Sequence, residues 1–261
     1  MRTETGTDIR LSDYRRPEYL ITQVDLVFAL DAEETVVRAK LHVTRPDYTP
    51  AETPLFLDGD ELTLLSLTIN GNEVAEDSVS INQDGLVVRR LPEDTAFAIE
   101  TAVRIHPSKN TQLMGLYATK GNFCTQCEAE GFRRITFFPD RPDVLSVYTV
   151  RLEADAHDVP LLLSNGNMVE KGALDDGRHF AVWHDPFPKP SYLFAVFAGN
   201  LGMIADSFTT MSGRDVRLEI YVEHGKEPRA AYAMDALKRS MKWDEERFGR
   251  EYDLDIFMIV A

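Results

Sequence analysis

The first residues that could carry chemistry are two cysteines, in the segment Cys124-Thr-Gln-Cys127. This spacing occurs in half of a zinc knuckle and in dithiol redox pairs. A structural zinc site needs two further ligands at similar spacing, and the chain has only 2 cysteines. A redox pair is expected at the strand-to-helix turn of a βαβ unit, whereas the surrounding pattern is rich in strands. We therefore interpret the pair as buried structural thiols.

The 6 histidines include no pair with the His-Glu-x-x-His spacing of zinc proteases. His224 and Glu227 lie three residues apart at the predicted entrance of a helix, where a local hydrogen bond is favoured over metal ligation. The sequence contains neither a Gly-x-Ser-x-Gly elbow nor a glycine-rich phosphate loop. The residues by themselves predict a β-rich chain without a complete catalytic centre.

The charge balance excludes several classes of partner. Asp and Glu total 43 against 28 Lys and Arg, a formal net charge of −15. Nucleic acids and anionic membrane surfaces both require a cationic footprint, so neither is an expected partner. The longest apolar run, Tyr192–Ala198, is far shorter than the roughly 20 residues of a membrane helix. A polar N-terminus without an apolar h-region and the low cysteine content predict a cytoplasmic protein.

The elements that must position these residues are mostly strands. Apolar and polar residues alternate over Val24–Leu30 and again over Val37–Val43, which predicts a hairpin with one buried face. Three dipeptides, Asn-Gly at 70–71 and 165–166 and Asp-Gly at 176–177, are strong signals for hairpin turns. The fold class is therefore predicted to be mainly β, as a sandwich or a saddle-shaped domain.

The pattern changes after the buried-looking strand Tyr192–Ala198, and Gly199-Asn200 is the predicted domain boundary. Pro228 and Gly249 mark the start and the end of a predicted helix. Its apolar face is formed by five residues at three- and four-residue steps or multiples of them. They are Ala230, Met234, Leu237, Met241 and Phe248.

The last segment, Asp253–Ala261, has the composition of a buried strand. Such a strand has to be covered on both faces, and no further residues follow it. We therefore expect a chain truncated within a second domain, with residues 1–200 forming the first domain and residues 201–261 the start of the second.

Several segments together resemble one known family. The chain is similar to the amino-terminal part of zinc aminopeptidases of the gluzincin type, and within them to the bacterial alanyl aminopeptidases. The matching segments occur in the family's order along nearly the whole chain. They are Asp13–Pro17, Gly115–Tyr117, Cys124–Arg133, Phe137–Asp143, Leu163–Asn167, Asp185–Pro190 and Ser240–Gly249.

The resemblance implies a saddle-like β-sandwich domain through residue 200, followed by the first α+β elements of a thermolysin-like catalytic domain. It also implies a zinc cofactor in the full-length enzyme and peptide substrates with a free N-terminus. In the family, the strand ending in Ile-Val-Ala leads to a Gly-x-Met-Glu-Asn loop and the His-Glu-x-x-His helix. This sequence ends before both, so no catalytic residue or metal ligand is expected in it, and the piece alone is expected to be inactive.

One family position does carry over. The resemblance implies that Glu128 binds the α-amine of the substrate and that Gln126 lies beside the first side-chain pocket. An α-amine has a pKa of about 7.7–8.0 and is largely cationic at neutral pH, so a sheltered carboxylate can give it a charge-assisted hydrogen bond. The alternative is that Glu128 is one more exposed acid among the 43. Glu130, placed on the same strand face if the strand is regular, is the rival carboxylate.

Two hypotheses about function follow. The first is the N-terminal portion of a zinc metallo-aminopeptidase, in which this chain supplies the amine-binding carboxylate. The second is a stand-alone β-rich binding module without catalytic activity. A coding sequence that continues past Ala261 into the zinc motif would distinguish the first from the second.

Overall fold

Two ten-residue strands, whose side chains alternate between the two faces apart from one irregularity between Ile21 and Gln23, lie at the centre of the largest sheet. The computed structural model describes residues 10–261. In it, Leu20–Ala29 (β1) and Thr35–Thr44 (β2) pair in antiparallel register. Val24, Leu26 and Phe28 point into the core, because every second residue of a strand faces the same side of the sheet. The predicted hairpin is confirmed.

Sixteen further strands and one α-helix follow in the described residues. They are Leu55–Asp58 (β3), Thr63–Ile69 (β4), Asn72–Glu73 (β5), Val79–Asn82 (β6), Gly85–Val88 (β7), Ala96–Ile105 (β8), Gly115–Thr119 (β9), Asn122–Gln126 (β10), Leu145–Asp155 (β11), Leu161–Ser164 (β12), Asn167–Ala173 (β13), Arg178–Pro190 (β14), Val196–Gly199 (β15), Gly202–Thr209 (β16), Asp215–Val222 (β17), Ala231–Phe248 (α1) and Ile256–Val260 (β18).

The strands form four sheets, and the mainly β fold class is confirmed. The largest sheet has the order β13-β14-β11-β1-β2-β8-β4-β5, and a four-stranded sheet has the order β12-β15-β10-β9. Two three-stranded sheets, β3-β7-β6 and β16-β17-β18, complete the set in the described part of the chain. In the largest sheet β1 and β11 pair in parallel, with Gln23 opposite Val147. The main core contains Phe28, Tyr148 and Trp183, all at most 1% exposed.

Two of the three predicted hairpin turns are confirmed. Asn70-Gly71 joins β4 to β5, and Asp176-Gly177 joins β13 to β14. All four residues have positive φ, between 50° and 81°. The turn between Ile69 and Asn72 is a two-residue turn, which requires this conformation, whereas the connection at Asp176-Gly177 is longer because its flanking pair is Ala173 and His179.

The third prediction, at Asn165-Gly166, is wrong. This dipeptide does join β12 to β13, but β12 belongs to the four-stranded sheet and β13 to the eight-stranded sheet. The Asn165 side chain donates to the carbonyl of Leu193 at 3.2 Å and accepts from the amide of Ala195 at 2.7 Å. The turn therefore passes the chain from one sheet to another, and the side chain of Asn165 fixes it to the segment that leads into β15.

A second, smaller core lies between α1 and β17. Met234, Leu237 and Met241 of α1 are buried in it, and the helix ends at Gly249 with φ 62°, as the sequence predicted. The prediction is wrong for Phe248, whose side chain is 59% exposed. Its ring packs edge-on against Trp243 instead, with 5.0 Å between the centroids.

One of two predicted apolar strands differs from its predicted form. Tyr192–Ala198 is not one strand, because a 3₁₀ turn at Ser191–Leu193 precedes β15. The predicted terminal strand is confirmed as β18, which pairs in parallel with β17. In this chain β18 lies at the edge of its sheet, and its residues are half-buried or exposed. No helix within residues 10–261 is long and apolar enough to cross a membrane.

Candidate functional site

The predicted site residues lie at the end of a short hairpin. Strands β9 and β10 pair in antiparallel register around the turn Lys120-Gly121, and the last residue of β10, Gln126, is opposite Gly115. On its other edge β10 pairs with β15. Because both edges of β10 are paired with neighbouring strands, the strand fixes the position of the segment that follows Gln126.

Glu128 lies in the turn that follows β10. The amide of Gly131 closes this turn by donating to the carbonyl of Cys127 at 2.7 Å. The side-chain amide of Gln126 donates to the carbonyl of Glu128 at 3.1 Å. The structure thus brings Gln126 and Glu128 together, with Gln126 holding the backbone of the turn.

The carboxylate of Glu128 is exposed, and no hydrogen bond or ion pair to it occurs among residues 10–261. Glu130 differs, because its carboxylate lies 3.3 Å from Nη2 of Arg133. The prediction that Glu130 shares a strand face with Glu128 is wrong, since β10 ends at Gln126 and both acids lie in the turn. Of the two carboxylates, only that of Glu128 has no partner among residues 10–261.

Two glycines allow the turn to pack closely on β9. A Cβ atom on Gly131 would lie 2.1 Å from the carbonyl oxygen of Gln126. One on Gly115 would lie 2.7 Å from Cβ of Arg134, and Gly115 also has φ 71°. Any larger residue at either position would displace the backbone, so both glycines are explained by close approach.

Two consecutive arginines follow the turn, and each is paired with carboxylates. Arg134, whose side chain is 6% exposed, contacts Asp60 at 2.5 Å and also pairs with Glu61. Arg133 binds Asp140, whose side chain is fully buried. Burial raises the pKa of Asp140, and hydrogen bonds from Ser191 and Arg133 oppose that shift. Sequence reasoning missed Asp140, although it lies inside Phe137–Asp143, one of the segments that resemble the family.

The two cysteines are free thiols, as the sequence predicted, but only Cys127 is fully buried. Burial raises the pKa of both thiols, which disfavours the thiolate that zinc binding and disulfide exchange require. Cys124 is half-buried and faces a cleft. The geometry supports a structural role for Cys127 and gives neither thiol the environment of a reactive cysteine.

The cleft has a volume of about 470 Å³ and separates the four-stranded sheet from the C-terminal segment. Cys124 and Thr125 of β10 line one wall, and Tyr252, Ile256 and Met258 line the other. The Glu128 turn lies just beyond the end of the strand that forms the first wall.

One group of potential metal ligands occurs among the described residues, and it was not predicted. Asp155, His157 and Asp158 are exposed, with ligand atoms within 4.8 Å of one another. Asp155 accepts hydrogen bonds from the amides of residues 157 and 158, which is an ordinary turn arrangement.

The predicted hydrogen bond between His224 and Glu227 is not formed. The nearest ring nitrogen and carboxylate oxygen are 3.9 Å apart, whereas Nε2 of His224 lies 2.8 Å from the side-chain oxygen of Asn200. The histidine therefore bonds to the loop between β15 and β16.

With this geometry, comparison with known proteins decides the family. The family model described as Peptidase M1 N-terminal domain matches residues 22–193. The chain belongs to the peptidase M1 family. Among curated proteins, this M1 chain is similar to aminopeptidase N of Caulobacter vibrioides, with 55% identity over 100% of the chain and 30% of the relative. Aminopeptidase N of Escherichia coli is 51% identical over 95% of the chain and 28% of the relative.

Solved structures agree with the family. Aminopeptidase A of Legionella pneumophila, in complex with aspartic acid, has a TM-score of 0.90 and 37% identity over 97% of this chain and 30% of its own. An M1 zinc metallopeptidase of Deinococcus radiodurans, bound to a Tyr-Ser-Ala substrate, has a TM-score of 0.77 over 93% of this chain and 56% of its own. At 15% identity, the second likeness shows the fold alone. The M1 chain spans about 30% of the length of its curated relatives.

Proposed function

We propose that this chain is the N-terminal portion of a zinc metallo-aminopeptidase that removes N-terminal amino acids from peptides, and that Glu128 binds the substrate's α-amine. The observation that carries the proposal is the state of the Glu128 carboxylate. It is exposed and without a partner among residues 10–261, on a turn whose backbone is fixed on both sides. The family membership and the aminopeptidase relatives provide the context.

The chemistry of the amine supports exopeptidase action. A protonated α-amine donates charge-assisted hydrogen bonds to a carboxylate, and these are roughly twice as strong as neutral ones. An internal peptide nitrogen carries no charge, so it does not compensate the desolvation of that carboxylate when a substrate covers it. A pocket containing Glu128 therefore favours substrates with a free N-terminus over internal peptide bonds.

Gln126 supports the same role through the backbone. Its side-chain amide is engaged with the carbonyl of Glu128, so it limits the freedom of the residue that carries the carboxylate. The resemblance also implies that Gln126 lies beside the pocket for the first side chain of the substrate, and we include this position in the proposal.

The zinc ion of the proposal does not fit the donors of this chain. The three-residue group at Asp155, His157 and Asp158 is fully open to solvent, and the pKa of each cysteine thiol is raised. The sequence also lacks His-Glu-x-x-His. We therefore assign zinc to residues of the longer protein that lie outside this chain.

We also propose a cytoplasmic location. Both cysteines are free thiols, and the sequence has only 2 of them, which is typical of a reducing compartment.

The first experiment is to read the coding sequence past Ala261. A frame that continues into a Met-Glu-Asn loop and a His-Glu-x-x-His helix supports the proposal. A stop codon directly after Ala261 contradicts it and favours the alternative, a binding module.

The second experiment replaces Glu128 in the protein that this frame encodes. We expect Glu128→Ala to lower kcat/KM for aminoacyl-arylamides by an amount equivalent to about 2–4 kcal/mol, because it removes one partner of a charge pair that forms, and is covered, only when the substrate binds. Glu128→Gln should fall between wild type and Glu128→Ala, since it keeps a hydrogen bond and loses the charge. Zinc content and melting temperature should not change, because an exposed carboxylate contributes little to packing.

Two controls make the test specific. Glu130→Ala, which removes the rival carboxylate, should have a much smaller effect, and Glu170→Ala on the exposed face of β13 should have none. N-acetylated substrates should be poor for the wild type and lose little more in Glu128→Ala. The proposed role of Glu128 is refuted if Glu128→Ala retains wild-type kcat/KM, or if it affects acetylated and free-amine substrates equally.

A further inference from the structure

Asp140 connects its own segment to three others: the segment that follows the Glu128 turn, the segment after β14 and the end of β3. Its carboxylate accepts from the backbone amide of Arg133 at 3.1 Å and from Nε of the same residue at 3.2 Å. The hydroxyl of Ser191, after β14, donates to the second carboxylate oxygen at 2.5 Å. The amide of Asp140 itself donates to Asp58, at the end of β3, at 2.9 Å.

Arg133 is bound in a way that fixes both its backbone and its side chain. One oxygen of Asp140, Oδ2, accepts from both the amide and the guanidinium of Arg133, and a second guanidinium nitrogen donates to the carbonyl of Asp140 at 3.2 Å. The carbonyl of Arg133 accepts from the amide of Asp60 at 3.0 Å. Arg133, which lies five positions after Glu128, is therefore held through its amide, its guanidinium and its carbonyl.

The burial of Asp140 requires a physical reason. A carboxylate with no exposed surface is destabilising unless it is paired and its oxygens are hydrogen-bonded. Among residues 10–261, the partners of the Asp140 carboxylate are Arg133 and Ser191, and Asp140 does not line the cleft. It is therefore placed to hold the backbone, and it has no access to a substrate.

We propose that Asp140, acting through Arg133, is a positioning residue that fixes the Glu128 turn for binding the substrate's amine. The inference rests on the proposed function, because it concerns the geometry of the same carboxylate. It goes beyond that function by assigning a role to a buried network that never contacts the substrate.

The test is a double-mutant cycle in the full-length enzyme. Asp140→Asn keeps the shape of the side chain, removes its charge and weakens the hold on Arg133. We expect it to raise KM for aminoacyl-arylamides by about 10- to 100-fold with kcat changed by less than about threefold, since small displacements of a positioned group have effects of that size. In the Glu128→Ala background, Asp140→Asn should raise KM only slightly further, because the group that it positions is absent.

Two further variants complete the design. Arg133→Lys keeps the positive charge but loses the planar fork, so we expect it to reproduce the KM effect of Asp140→Asn. Asp77→Asn breaks an exposed pair with Arg90 and should leave both kinetic constants unchanged. If Asp140→Asn does not fold, the milder Ser191→Ala removes one hydrogen bond to Asp140 and should give the same pattern at smaller size.

The outcomes separate the two proposals. If Glu128→Ala raises KM but the effect of Asp140→Asn (or Ser191→Ala) is the same with and without Glu128, then Asp140 is only structural. The further inference is then overturned while the proposed function stands. If Glu128→Ala has no effect, the proposed function fails first. An equal loss by Asp140→Asn on N-acetylated and free-amine substrates would also overturn the positioning role.

Discussion

Phe132, two positions after Glu130, provides the sharpest test of the core beneath the site. Its side chain is fully buried. The ring makes three edge-on contacts, with centroid distances of 5.0 Å to Phe138, 5.1 Å to Phe194 and 6.0 Å to Tyr148. A buried Phe→Ala change lowers the free energy of unfolding by about 3–5 kcal/mol. Each aromatic pair adds about 0.5–1.5 kcal/mol, so we expect the upper end, about 4–5 kcal/mol, for Phe132→Ala.

The assay is urea unfolding of this chain, followed by far-ultraviolet circular dichroism, because the chain has 2 tryptophans and one of them, Trp243, contacts the control residue. Phe248→Ala is the matched control, because that ring is 59% exposed and, within the described residues 10–261, it contacts one other ring, that of Trp243. It should lower the free energy of unfolding by less than about 1 kcal/mol. Phe132→Leu should lie between the two. The reasoning is refuted if Phe132→Ala and Phe248→Ala differ by less than about 1 kcal/mol in urea unfolding.

Three other measurements test separate features. Gly166→Ala should destabilise the chain by more than Gly177→Ala, because a Cβ at 166 would lie 2.2 Å from a backbone oxygen while one at 177 meets nothing within 4 Å. The second change adds only left-handed strain, about 1–2 kcal/mol; equal urea midpoints would contradict this. A hydrogen bond from a neighbouring arginine lowers the pKa of Asp143. Its stabilisation is therefore present above the unfolded pKa of about 3.9 and lost as the pH falls through the lower folded value, and Asp143→Asn should flatten the pH dependence of the urea midpoint there. Iodoacetamide should modify Cys127 more slowly than Cys124 in the native chain, and both equally fast in urea, because Cys127 is the more deeply buried thiol; equal native rates would refute this.

The sequence predicts elements whose signal is local. The alternation over β1 and β2 predicts their pairing, because the period of two and the buried face are properties of each strand by itself. Gly249 predicts the end of α1 for the same reason, since left-handed backbone there needs no distant partner. The Asn165-Gly166 turn shows the limit. The dipeptide specifies positive φ, but which sheet the next strand joins depends on Leu193 and Ala195, about thirty residues later.

In the candidate site, too, the sequence predicts what depends on neighbouring residues and not what depends on distant ones. Gln126 and Glu128 were predicted from a contiguous segment that resembles a family, and the structure brings them into contact. Asp140 could not be assigned a role from the sequence, because its partners include Asp58 and Ser191, which lie on either side of it and far along the chain. The sequence also could not show that Glu130 pairs with Arg133. This pair distinguishes Glu130 from Glu128, which has no such partner among residues 10–261.

The parallel pairing of β1 with β11 has a consequence for biosynthesis. Gln23 cannot meet Val147 until the chain has been made through β11, whereas the antiparallel neighbours of β1 and β2 emerge much earlier. During translation β1 therefore presents an unpaired edge, and such edges are prone to associate with other chains. Closing the long loop between the two strands also makes the ordering of the central sheet a slow step. A nascent chain of this protein should accordingly depend most on chaperones in the interval between the synthesis of β8 and the synthesis of β11.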